Sequence, residues 1–179
     1  MSVVVVMGVA GTGKTTVGEM LAAELGVPYA EADGFHPPAN IAKMSAGTPL
    51  DDEDRLPWLD AIGAWAHGHA RNATGQKGEV TAVVSCSALK RSYRDRLRAA
   101  EPGVRFLHLT GDRALIDERM RERQDHFMPV ALLDSQFATL EPLQPDEDGA
   151  AVRVDAEPRT IVERGIAALG AQAAAAVSS

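Results

Sequence analysis

A doubly wound parallel sheet with helices on both faces is the architecture this sequence predicts, on three observations. Strand-like and helix-like segments alternate along the chain, the order expected of a parallel α/β fold. The first unit runs from a β-branched stretch, Val3-Val4-Val5-Val6-Met7, through a glycine loop into Lys14–Leu25, where Val17, Met20, Leu21 and Leu25 recur at helical spacing. The loop itself, Gly8-Val9-Ala10-Gly11-Thr12-Gly13-Lys14-Thr15, fits G-x-x-x-x-G-K-[ST], the phosphate-binding P-loop, whose working context is strand, loop and helix in that order.

The remaining elements follow from pattern and punctuation. Residues 28–32 read as a short second strand. Residues 33–57 are polar and broken by glycine and proline, and an irregular stretch of that length in a compact domain is usually functional. A helix is expected over 58–70, a loop over 72–78 and a buried strand over 80–85. A helix over 92–100 and a strand over 104–109 come next. A charged amphipathic helix over 112–123 has Asp112 in position to cap it, and a further helix covers 130–140. An acidic loop over 142–149, a short strand over 151–154 and a helix Pro158–Leu169, with proline in its first turn, complete the pattern. Residues 1–170 then form one domain, and the alanine-rich 171–179 a flexible tail.

Composition narrows the function. A net charge of −7 argues against a general nucleic-acid binder, which needs a basic face. The single cysteine, Cys86, cannot form an internal disulfide, so a reducing compartment is expected. The apolar runs are strand-length and Met1-Ser2 lacks a basic leader flank, so the expected location is the cytoplasm, with no membrane partner.

The P-loop predicts a nucleoside triphosphate. Its glycines let backbone N–H groups approach phosphate, and the helix N-terminus adds partial positive charge. Lys14 is expected at the β/γ-phosphates, the Thr15 hydroxyl on Mg²⁺ and Thr16 near the α-phosphate. Glu31 and Asp33, two apart at the end of the second strand, would face one side of the ligand crevice. There they could help place Mg²⁺ and receive a hydroxyl proton, the plain alternative being a solvated strand end. His36, Asn40 and Lys43 place an imidazole, an amide and an ammonium in one irregular segment, a set that suits a small polyhydroxylated substrate. The acidic run Asp51-Asp52-Glu53-Asp54 could cap the next helix, with Arg55 free to pair with it or with an anion. After the central strand, Ser85-Cys86-Ser87-Ala88-Leu89-Lys90-Arg91-Ser92-Tyr93-Arg94 lacks the terminal aspartate of a Walker B strand but offers cations for a carboxylate. Cys86 has no activating partner in sequence and reads as a small buried residue. Arg119, Arg121 and Arg123 at a helix end suit a closing lid over a transferring phosphoryl group, or else a solvated, ion-paired face. Asp146-Glu147-Asp148-Gly149 matches the D-x-x-G of a GTPase only formally, since it lies in the acidic loop.

These segments resemble the gluconokinase family of P-loop kinases, over most of residues 3–169. The resemblance rests on the P-loop together with Asp33…His36-Pro37…Asn40…Lys43-Met44, Pro49-Leu50-Asp51-Asp52…Asp54-Arg55…Pro57-Trp58-Leu59 and Cys86-Ser87-Ala88-Leu89-Lys90…Tyr93-Arg94, extended by His126-Phe127 and Gln136-Phe137…Leu140-Glu141. It implies a fold like that of nucleoside monophosphate and shikimate kinases with a small lid, and transfer of phosphate from ATP, with Mg²⁺, to D-gluconate. By this resemblance Gly8, Ala10, Gly11, Thr12, Gly13, Lys14, Thr15 and Thr16 hold the nucleotide, and Arg119 stacks on its base. Asp33 positions or deprotonates the acceptor hydroxyl, and Arg123 reaches the phosphates. His36, Asn40, Lys43, Met44 and His126 line the substrate, with Arg55, Lys90 and Arg94 as candidates for its carboxylate. Thr15 is the metal ligand, with Glu31 acting through water where many relatives carry aspartate. The family's habit also implies a homodimer. The rival expectations are a kinase of another small hydroxy acid, such as shikimate, and a switch that binds ATP without transferring phosphate.

Overall fold

The computed structural model describes residues 1–71, 79–122 and 130–170. Its core is a five-stranded sheet, all parallel, formed by β1 (Ser2–Met7), β2 (Tyr29–Glu31), β3 (Val80–Ser85), β4 (Val104–Thr110) and β5 (Gly149–Arg153), in the order β2-β3-β1-β4-β5. β1 lies at the centre and all six of its residues are buried, as a strand covered on both faces requires. Its alternation divides the core. Val4 and Val6 pack with Val17, Leu21 and Leu25 of α1 (Lys14–Leu25) and with Ile161, Val162 and Leu169 of α7 (Pro158–Leu169). Val3, Val5 and Met7 pack on the opposite face with Trp58, Leu59 and Ile62 of α3 (Asp52–Arg71) and with Tyr93 and Leu97 of α4 (Arg91–Ala100). The remaining helices are α2 (Pro38–Ser45), α5 (Arg113–Glu122) and α6 (Val130–Thr139). Among the described residues no helix is long and apolar enough to cross a membrane.

α1 sits close on the sheet because Gly18 has no side chain: a Cβ there would collide with the Ser85 hydroxyl and would lie 2.7 Å from the Tyr29 ring. That hydroxyl instead donates to the Lys14 carbonyl at 2.8 Å, anchoring the first turn of α1 on β3.

Three expectations need correction. The stretch 33–57 is not irregular: it contains the short 3₁₀ turn Ala32–Phe35, α2, and the first turns of α3. Pro38 occupies the first turn of α2, where its missing N–H costs nothing. α3 starts at Asp52, ahead of Pro57, because Asp51 and Asp54 form a reciprocal cap. The Asp54 N–H donates to the Asp51 carboxylate at 2.7 Å and the Asp51 N–H to the Asp54 carboxylate at 3.0 Å. That cap, with acidic Asp52, Glu53 and Asp54 at the positive end of the helix dipole, offsets the hydrogen bond lost at Pro57. Second, β2 ends at Glu31 and Asp33 lies in the 3₁₀ turn, so the two acids do not share a strand face. The last strand also begins and ends earlier than expected, at Gly149–Arg153.

Candidate active site

The site lies at the carboxyl ends of the parallel strands, where an open α/β sheet leaves its crevice. The P-loop leaves β1 and turns through left-handed glycines, Gly11 at φ 82° and Gly13 at φ 87°. A side chain at Gly13 would have space, so the requirement there is conformational. The loop is closed from within: the Thr12 hydroxyl donates to the Val9 carbonyl at 2.8 Å and Lys14 Nζ to the same carbonyl at 3.0 Å. It is also braced from outside, because the Gly8 N–H donates to the Ser87 carbonyl at 3.3 Å and the Ala10 N–H to Gln136 Oε1 of α6 at 2.7 Å. This bond reaches across 126 residues of sequence, and sequence reading gave Gln136 no role. The pairing of an α6 side chain with a P-loop amide has no local signature.

Behind the loop, Thr15 Oγ1 donates to Glu31 Oε2 at 2.8 Å, and the Tyr29 hydroxyl donates to the same oxygen at 2.8 Å. Burial, then the adjacent Glu31 carboxylate, push the Tyr29 phenol up to about 12, so it remains a donor. With its proton directed to Glu31, the Thr15 hydroxyl keeps its lone pairs for a cation. No cluster of three or more His, Cys, Asp or Glu able to hold a metal occurs among the described residues. The set on hand, one hydroxyl and one nearby carboxylate, suits Mg²⁺, which keeps several waters and takes its other ligands from substrate phosphates. On the outer side of the loop, Gly11, Thr12, Gly13 and Thr16 share a hollow of about 260 Å³ with Arg119, Glu122, Pro158 and Ile161. The Arg119 guanidinium donates to the Val154 carbonyl, which tethers it at the wall of this hollow.

A larger cleft of about 820 Å³ opens on the inner side, within the range of small-molecule sites. Asp33, His36, Met44, Arg55, Lys90 and Tyr93 line it, with Ser87, Leu89 and Gln136. His36 stacks on Trp58 with ring centroids 4.6 Å apart and planes 9° apart, and Trp58 Nε1 donates to the Ala32 carbonyl at 2.7 Å. Also in its lining, Tyr93 carries two cations against its ring, Arg55 at 5.7 Å and Lys90 at 5.6 Å from the centroid. Asp52 accepts from the Tyr93 hydroxyl at 2.5 Å and from Lys90 Nζ at 3.0 and 3.1 Å. The hydrogen bond from Tyr93 and that from Lys90 hold the Asp52 carboxyl below its usual range. The Asp52 carboxylate in turn raises Lys90. Tyr93 is a functional candidate that residue-type reasoning passed over; its place among the cations is the only local clue.

Three expected ligands are placed elsewhere. Arg94 is not available to a carboxylate. Its side chain is fully buried and pairs with Glu147 at 2.7 and 3.0 Å, while also donating to the carbonyls of Ala88, Leu89 and Pro142. It holds the loop after β3, where Ala88 adopts the left-handed φ of 43° that non-glycine residues rarely take. Asn40 and Lys43 do not line the cleft; both are engaged by Asp54, Asn40 Nδ2 on its carbonyl at 2.8 Å and Lys43 Nζ on its carboxylate at 2.8 and 2.9 Å. Arg123 and His126 lie outside the described residues. Cys86 is 2% exposed and burial pushes its thiol up to about 12, so it is no nucleophile.

Comparison with known proteins gives the family. A family model described as "AAA domain" matches residues 3–143. The gluconokinase of Gluconobacter oxydans is 46% identical over 153 residues, which are 86% of this chain and 82% of the relative. The crystal structure of a gluconokinase from Sinorhizobium meliloti 1021 superposes with a TM-score of 0.82 at 45% identity, covering 94% of this chain and 91% of that one. The shikimate kinase of Aquifex aeolicus shares the fold alone, at a TM-score of 0.60 and 14% identity over 94% of this chain and 96% of its own. With that identity spread over four-fifths of a gluconokinase, and with the P-loop, the inner cleft and the cation-bearing loop brought to one end of one parallel sheet, this chain belongs to the gluconokinase family.

Proposed function

We propose that this protein transfers the terminal phosphoryl group of ATP to D-gluconate, giving 6-phospho-D-gluconate. The observation that carries the reading is the inner cleft: its lining residues Ser87 and Gln136 brace the P-loop, and it holds both a carboxylate, Asp33, and the Arg55–Tyr93–Lys90 group. A polyhydroxy acid needs both ends, a site for its hydroxyl chain and an anion site for its carboxylate.

In this reading the P-loop amides and Lys14 hold the phosphates, Thr16 borders the path to the base, and Arg119 covers the base in the outer hollow. Mg²⁺, held by Thr15 and by Glu31 through water, would neutralise charge developing on the transferring group. Asp33 orients the attacking hydroxyl and receives its proton. Proton removal is late in a loose transition state, so its placement counts for as much as its basicity. His36 and Met44 border the hydroxyl chain. Arg55 and Lys90 take the carboxylate, Lys90 turning from Asp52 to do so. Arg123 and His126 remain proposed lid and substrate residues, and a homodimer remains the proposed assembly.

A coupled assay of ADP release across gluconate, shikimate, glycerate and glucose tests the reading. Gluconate is expected to give the highest kcat/KM. Preference for shikimate or glycerate would move the protein to another acid. Slow hydrolysis indifferent to every acceptor would make it a nucleotide-dependent switch.

A further inference from the structure

Asn40 is 3% exposed, yet its amide has a defined polar task at each proton. Its Nδ2 lies 2.8 Å from the Asp54 carbonyl oxygen, which can only accept, so the NH₂ end of the amide faces Asp54. The same nitrogen lies 3.3 Å from Nδ1 of His36. An amide NH₂ has two protons and no acceptor capacity, so Nδ1 must be the unprotonated, accepting nitrogen of the ring. The plane of the ring is set by its stacking on Trp58 at 4.6 Å, Trp58 being itself tied to the Ala32 carbonyl, and within that plane the contact with Asn40 is what orients Nδ1.

We propose that Asn40 is a positioning residue that fixes His36 as the neutral Nε2–H tautomer, making His36 a hydrogen-bond donor to the acceptor substrate and not a base. This rests on the reading of the inner cleft as the gluconate site. His36 lines that cleft, and with Nδ1 held by Asn40 its remaining polar atom is Nε2–H. Such a donor reads a hydroxyl or carboxylate oxygen and has no lone pair with which to take a proton, which leaves proton removal to Asp33. The neighbours agree. Burial, opposed by Asp33 in the 3₁₀ turn and aided by Arg55 on α3, lowers the His36 pKa, so the ring is neutral at the pH where the tautomer matters.

The test is ¹⁵N NMR of the imidazoles of the whole protein, with His36→Gln assigning the resonance. Wild-type His36 at neutral pH is expected to show protonated Nε2 and unprotonated Nδ1; an Nδ1–H tautomer or an imidazolium would overturn the proposal. Asn40→Asp puts an acceptor beside Nδ1 and is expected to move the ring toward Nδ1–H. Asn40→Ala, the milder change, is expected to give mixed tautomers. Both should raise KM for gluconate about tenfold, the worth of one hydrogen bond, with KM for ATP and kcat little changed. An unchanged tautomer and KM in Asn40→Ala would refute the positioning role. Failure of wild-type protein to phosphorylate gluconate would instead sink the functional reading, and the NMR result would stand apart from it.

Discussion

The two halves of the site are built differently. The half proposed for the nucleotide is mostly contiguous: the glycine loop after β1 and the first turn of α1 supply residues 8–16, largely through backbone amides, with Glu31 and Arg119 added from other elements. The acceptor half is assembled from side chains on the 3₁₀ turn, α3, the loop after β3 and α6, and these depend on buried struts to stay in place. Asp54 holds Asn40 and Lys43, and Glu147 holds Arg94. A backbone-built site tolerates variation outside its motif, whereas a side-chain site fails when a distant strut fails. Substitutions should therefore sort by half: those in the first alter phosphoryl transfer and leave folding intact, while those in the second act on stability or on acceptor KM.

Lys14→Ala should have the largest effect, about 10³-fold in kcat, as expected for loss of a charge that stabilises the transferring phosphoryl group. Circular dichroism and melting should be unchanged; near-normal turnover of the folded variant would overturn the P-loop assignment. Glu147→Ala tests the strut. Arg94 would be left buried without its partner, which costs about 3 kcal/mol or more and should lower the melting temperature by about 10 °C. Nucleotide affinity measured well below that melting point should be nearly normal, because the Arg94–Glu147 pair bonds Ala88, Leu89, Pro142 and Gln144 and makes no bond of its own to residues 8–16; a matching loss of nucleotide affinity would erase the distinction between the halves. Asp33→Asn keeps shape but not charge. It should lower kcat with gluconate about 10²-fold at little cost in ATP affinity, and wild-type turnover would place the hydroxyl-activating group elsewhere.

Acid should act first through His108 and only then on the Arg94–Glu147 strut. Glu147 is buried, which opposes ionisation, but hydrogen bonds from Arg94, the Gln144 amide and Arg98 outweigh burial and hold its carboxyl at about 2. Its stabilisation is complete above the unfolded value near 4.5 and is lost as pH falls through 2. His108 on β4 is lowered to about 4, by burial first and then by the charge of Arg94. It is neutral in the fold and protonates in the unfolded chain below about 6.5, so its contribution is full above pH 6.5 and fades towards pH 4. Between pH 6.5 and 5 the protein should lose about 2 kcal/mol through His108. His108→Gln should flatten that part of a urea-melt pH profile, and a profile equally steep without the histidine would refute the assignment.

The same contrast decides what is legible in the sequence. The P-loop, the buried strands and the helix Pro158–Leu169 carry local signals: glycine spacing, β-branched runs, a proline in a first turn. The acceptor half carries residue types without partners. Arg94 reads as a free cation because Glu147 is 53 residues away, inside an acidic loop that reads as solvated. The Pro37-Pro38 pair reads as a breaker, although proline in a first turn starts α2. The Asp51–Asp54 cap lies ahead of Pro57, and the proline hides it from a reading that stops helices at proline. Chemistry-bearing residues can be found from type and spacing, but whether each faces ligand or structure depends on partners that sequence distance conceals.

The smallest effect belongs to the carboxylate wall, and it separates two uses of one cation. Lys90 is bound to Asp52 and stands over Tyr93, with Arg55 also against the ring. If Lys90 leaves Asp52 for the substrate carboxylate, Lys90→Ala should raise KM for gluconate about tenfold, near the lower end of a charge-assisted hydrogen bond because the group is partly exposed. Glucose, which lacks the carboxylate at C1, is expected to be a poor substrate of wild type and variant alike, so the gluconate-to-glucose ratio of kcat/KM should shrink by the same factor. Arg55→Ala should do likewise, and the two changes should be less than additive because both cations meet one carboxylate. Should Lys90→Ala leave KM untouched while Arg55→Ala raises it, Lys90 serves only to hold Asp52 and Tyr93, and the carboxylate is read by Arg55 alone. If neither change alters the ratio, the anion site lies away from Tyr93, and the inner cleft binds its acceptor in the opposite orientation.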